Sequence, residues 1–171
     1  MVRRRTVALL VIALVVCVVP AAASAGGKVD TVDTVATHIY ANYASFSVAY
    51  TLVDNTGACT VADPPANCSA YTTGDATLGL VLNELSGTMC KHKDGRGPCR
   101  SAKRQEVFSR SVAGTGSHAT VNVRYGQMRL PSCTAWKFQC IHYQAVFYLH
   151  DPVTGQIVAH KAGPQFNLGC S

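Results

Sequence analysis

Glutamate and tryptophan are nearly missing from this 171-residue chain: Glu84 and Glu106 are the only glutamates and Trp136 the only tryptophan. Nothing sets either glutamate beside an aspartate, so the paired carboxylates of a glycosidase have no support. The chain also lacks Gly-x-Ser-x-Gly, His-Glu-x-x-His, an Asp-x-Asp calcium loop and a phosphate-cradling glycine motif. Serine hydrolase, zinc protease, calcium-loop and nucleotide-binding readings therefore have no motif behind them. No internal repeat or low-complexity linker breaks the chain. Beyond the N-terminus no apolar run approaches the ~20 residues of a membrane-spanning helix.

What is there begins with a leader. Met1-Val-Arg-Arg-Arg-Thr6 is basic, residues 7–19 are apolar, and Ala23-Ser-Ala25 offers small residues at the positions a signal peptidase reads. Residues 1–25 are expected to be a secretory signal peptide, and residues 26–171 a single secreted domain large enough to bury about two-thirds of its unfolded surface. The formal net charge is +6. Because Arg3, Arg4 and Arg5 leave with the leader and no acid goes with them, the remainder is only half as basic. Any cationic function must then come from a local patch.

Of the eight cysteines, Cys17 falls in the leader. The rest are dense enough, in an exported chain, to predict disulfides. Cys59 with Cys68, Cys90 with Cys99, and Cys133 with Cys140 each bracket a segment rich in turn residues, which favours nearest-neighbour bridges. Each clipped loop is worth about 2.5 to 3 kcal/mol by the chain-entropy estimate. Cys170 is left unpaired, either a free thiol or a link to a second chain. Zinc is disfavoured because its cysteine modules use spacings of two to four residues, and no metal or other cofactor is expected.

Alternation of apolar and polar residues marks the strands. Ile141, Tyr143, Ala145, Phe147 and Leu149 form one face of a strand, with His142, Gln144 and His150 on the other. Asp151-Pro-Val-Thr-Gly155 has the residues of a tight turn, and residues 156–160 form the returning strand. Phe46, Val48, Tyr50 and Leu52 alternate likewise. Ala119, Val121, Val123 and Tyr125 do so behind the Gly114-Thr-Gly-Ser117 turn, which predicts a hairpin with residues 105–113. Residues 31–43 and 75–86 fit either a helix face or a strand. A strand over 75–86 is favoured, returning antiparallel to the Phe46 strand across the first disulfide loop. The expected fold is all-β, an antiparallel meander forming a sandwich or partly closed barrel with disulfide-clipped loops. The alternative is α+β, with helices over 31–43 and 75–86 packed on a four-stranded antiparallel sheet.

A meander places alternate connections at one end of the sheet, which would bring the Cys90 and Cys133 loops together. Lys91, Lys93, Arg96 and Arg100, with Lys103 and Arg104 just beyond, form the basic cluster; Trp136 and Lys137 lie in the other loop. Cations beside an aromatic ring suit an anionic glycan or other polyanion. The expected function is a secreted, disulfide-stabilised binding or surface module with these residues as its binding site, and no membrane span. One alternative is a small secreted hydrolase, such as a nuclease using histidine and lysine as acid and base. His142 and His150, however, are eight residues apart on one strand, about 27 Å. A second alternative is a structural or coat component assembled as a disulfide-linked homodimer through Cys170. Asn67-Cys-Ser69 is a glycosylation sequon, meaningful only in a eukaryotic secretory route.

Overall fold

The computed structural model describes residues 29–92, 97–131 and 138–168; the expected signal peptide lies outside them. Two antiparallel sheets make up the described part of the chain. The smaller is built from β1 (Thr31–Ile39), β2 (Tyr43–Thr51) and β6 (His118–Arg124), in the order β1-β2-β6. The larger contains β3 (Ala76–Cys90), β4 (Cys99–Ser101), β5 (Gln105–Gly114), β7 (Phe138–His150) and β8 (Ile157–Asn167). Its order is β4-β3-β7-β8, with β5 also paired to β3. The one α-helix among the described residues, α1 (Ser69–Thr73), follows a 3-10 turn in the connection from β2 to β3.

Alternation produces the core. Phe46 and Tyr50 from β2, Leu78, Leu80 and Leu82 from β3, and Ile141, Tyr143, Phe147 and Leu149 from β7 are fully buried between the sheets. Phe166 of β8 lies 5.7 Å from the Phe46 ring. Side chains of this size contribute roughly 1.5 to 3 kcal/mol each on burial. Residues 75–86, open between helix and strand, lie mainly in β3 because that strand has ladder partners on both edges, β5 and β7. A strand buried among partners can carry leucine at every second position and still look helical in sequence. Residues 31–39 are strand as well, so neither helix of the α+β alternative forms.

The meander itself is overturned. β3 does not return beside β2, whose neighbours are β1 and β6; the connection holding the first disulfide and α1 crosses from one sheet to the other. Nor do β5 and β6 form the expected hairpin. Gly116 and Ser117 both have positive φ (58° and 65°), as in a type I′ turn. Only the Thr115↔His118 bridge follows, after which β5 joins β3 and β6 joins β2. The β7–β8 hairpin forms as its sequence indicates, closed by Asp151, whose Oδ1 accepts the N–H groups of Val153 and Thr154.

The sheets also approach along their other margin. A Cβ on Gly163 of β8 would stand 2.6 Å from Val35 Cγ1 of β1, and Lys161 Nζ donates to the Asp33 carbonyl. With a turn at one margin and this seam at the other, the sandwich is partly closed.

Candidate functional site

Cys59 is bonded to Cys68 and Cys90 to Cys99, as the spacing indicates. The third expected bridge does not form: Cys140 is a free, exposed thiol. By spacing alone Cys140 would end a loop. β7 already starts at Phe138, and Cys140 is held in the ladder opposite Thr88. Cys133 and Cys170 lie outside the described residues.

Of the expected binding residues, Lys91 and Arg100 are exposed beside the Cys90–Cys99 bridge, while Lys93, Arg96, Trp136 and Lys137 lie outside the described residues. The two loops do leave from one place, though not through a meander. β3 and β7 are ladder neighbours with Cys90 opposite Phe138, so the chain enters the first loop and leaves the second side by side.

Strand direction sorts the charges. The Cys90 end of β3, the start of β5, the end of β6 and the turn before β2 share one end of the sandwich, and Lys91, Arg100, Lys103, Arg104, Arg124 and Arg129 are all exposed there. Among the described residues none of them forms an ion pair. The opposite end collects aspartates, several of them engaged in shaping turns. Asp30 accepts Val53 N–H and the Asn55 amide, Asp54 accepts Cys59 N–H, and Asp75 accepts Thr73 Oγ1 and Gly116 N–H. Backbone and hydroxyl donors, Cys59 N–H foremost, hold the Asp54 carboxyl below its ordinary value.

Within the basic end lies an open cleft of about 730 Å³ lined by Asn42, Tyr43, Arg110, Asn122, Arg124 and Gln127. Tyr43 pairs with Arg124 across the β2–β6 ladder and stacks on Tyr40, ring centroids 4.5 Å apart at 14°. The turn carrying both tyrosines is pinned by the Tyr125 hydroxyl, which donates to the Tyr40 carbonyl; burial pushes that hydroxyl's pKa up. Gln127 Oε1 accepts the Arg124 N–H. Arg110 reaches the cleft by an unusual route. It stands opposite buried Leu80, between the inward-facing positions Phe108 and Val112, yet it is exposed, because β5 borders the gap where the two sheets part. In the sequence only the lone arginine on the Phe108–Val112 face marks these residues, as a break in the alternation.

The other large cleft, about 620 Å³, is at the acidic end and includes Asp75, His150 and Asp151. Its acids are occupied: Asp151 accepts the Tyr71 hydroxyl at 2.5 Å as well as Thr154 Oγ1. Burial alone would raise the Asp151 pKa, but these donors outweigh it and hold it below its ordinary value. His150 Nδ1 is 3.1 Å from the Gly155 carbonyl. His118 is on the outer face of the small sheet, whereas His142 and His150 are on the large one, so the acid and base pair needed by the nuclease alternative is not assembled from them. No group of three His, Cys, Asp or Glu side chains suited to a metal occurs among the described residues. The sequon residue Asn67 is exposed on the 3-10 turn, and its amide nitrogen donates to the Pro152 carbonyl. Comparison with protein-family models, curated proteins and solved structures finds no match to this chain.

Proposed function

We propose that the protein is an exported module that binds an anionic polymer, such as an acidic glycan, through its basic end. One observation carries the reading: among the described residues, exposed lysines and arginines without an ion pair gather at one end, where Glu84 is buried and Glu106 exposed, while Asp30, Asp54 and Asp75 engage turns at the other. Unpaired surface cations keep their full attraction for sulfate, carboxylate or phosphate, and a separated charge distribution orients the encounter. The leader and the disulfides support export.

Retention on immobilised heparin at low salt tests the reading. The full chain is expected to bind and to elute as salt rises, because the logarithm of polyanion affinity falls linearly with log salt as counterions are released. Lys91→Ala with Arg100→Ala and Arg104→Ala is expected to move elution to markedly lower salt, and Lys161→Ala to leave it unchanged. Absence of retention at low salt, or equal losses in both variants, would overturn it.

A second reading, covalent assembly, has the free and exposed Cys140 in its favour. It requires a dimer on non-reducing gels that Cys140→Ser or Cys170→Ser abolishes.

A further inference from the structure

We infer that the cleft between β5 and β6 is a subsite for a carboxylate-bearing sugar ring, an identification that rests on the polyanion reading above and names the unit it recognises. Two arginines from different sheets, Arg110 and Arg124, converge on it, and neither forms an ion pair among the described residues. The guanidinium is a planar fork that matches a carboxylate with two parallel hydrogen bonds. The remaining lining side chains are neutral and mixed in hydrogen-bonding sense: the amides of Asn42, Asn122 and Gln127 each offer donors and an acceptor, and Tyr43 adds a hydroxyl and a ring face. A bare anion needs donors only. A ligand that uses donors, acceptors and a ring face carries hydroxyl groups and an apolar face alongside its charge, which is the chemistry of an acidic sugar.

The frame of the cleft argues against an extended peptide. Among the described residues both bordering strands have an unpaired edge, β5 being laddered only to β3 and β6 only to β2. Such edges invite a third strand. This opening, however, is closed at both ends. The Thr115↔His118 bridge shuts one, and at the other the Arg129 N–H donates to the Val107 carbonyl, so the chain leaving β6 already covers the β5 edge there. Between those closures seven residues of β5 remain, Phe108 to Gly114, roughly 23 Å. An added strand could not run on past either end, and the lining provides polar groups where an inserted strand would need apolar pockets for alternate side chains. A ring of compact shape meets neither obstacle.

The full chain titrated by calorimetry with an unsulfated hyaluronan tetrasaccharide, whose only charges are carboxylates, tests the inference. Binding is expected, and is expected to be lost with the carboxyl-reduced tetrasaccharide. Arg110→Lys and Arg124→Lys keep the charge but lose the fork, so each is expected to weaken tetrasaccharide binding at least tenfold, and Lys161→Ala, away from the cleft, to leave it unchanged. Tyr43→Leu is expected to weaken it and Tyr43→Phe to preserve most of it. Thermal melting of each variant within a few degrees of the parent establishes that the fold is kept. The subsite is overturned if both lysine variants bind the tetrasaccharide as the parent does, or if tetraglutamate competes equally well. Failure of heparin retention with the tetrasaccharide still bound in an Arg124-dependent way would remove the wider polyanion reading and leave the subsite standing.

Discussion

Asp151 shows how much one side chain can hold. Its Oδ1 accepts three donors from the β7–β8 turn and its Oδ2 accepts Tyr71 from α1, which ties the crossing connection to the last hairpin. Asp151→Ala would leave those donors without a partner and is expected to destabilise the protein by about 2 to 3 kcal/mol in urea unfolding. The pH dependence has a definite sign. Its folded carboxyl titrates below the ordinary value of 3.8, so its stabilisation is complete above that pH and is lost as pH falls through the lower folded value. Asp54 acts in the same direction. The urea midpoint of the parent is therefore expected to drop below about pH 4, and that of Asp151→Asn to drop less. Gly114 is constrained differently: a Cβ there would meet Tyr50 Oη at 2.3 Å, and that hydroxyl is already bonded to the Gly74 carbonyl. Gly114→Ala must move the ring or the strand, and about 1 to 3 kcal/mol of destabilisation is expected from the same unfolding measurement.

Elements were legible where local chemistry decided them and illegible where the choice lay between partners. The Asp151 turn has a proline, a capping carboxylate and a glycine at φ 71°, so the β7–β8 hairpin could be read directly. Gly116-Ser117 has equally good hairpin chemistry, yet β5 and β6 separate after one bridge. Alternation in Phe108, Val112, Val121 and Val123 says that a face is buried and not against which sheet. β3 had the same ambiguity in a different form, since leucines on a strand flanked on both edges satisfy helical spacing too. The acidic and basic ends were half visible: the run from Lys91 to Arg104 could be seen, but Arg110, Arg124 and Tyr43 meet only through pairing across the ladder. Two experiments belong at this scale. Replacing Cys90 and Cys99 together by serine is expected to cost about 2.5 to 3 kcal/mol, the chain-entropy value for so short a loop, read from the shift in denaturant midpoint. Gly163→Val would force β8 away from Val35, and faster amide exchange in β1 and β8, with β3 and β7 unchanged, is the expected signature.

For the whole molecule, the separation of charge makes orientation a measurable property. Anionic particles coated with the protein would receive it by the end bearing Lys91, Arg100 and Arg124, leaving Asp30, Asp54 and Asp75 directed to the solvent. A uniformly basic protein reverses the sign of such a particle as the coat fills and then bridges neighbouring particles into clumps. This one should saturate as a single layer whose exterior stays negative, so the zeta potential levels off below zero and the suspension remains dispersed. Crossing zero, or flocculation near saturation, would mean that the layer does not lie with its aspartates outward.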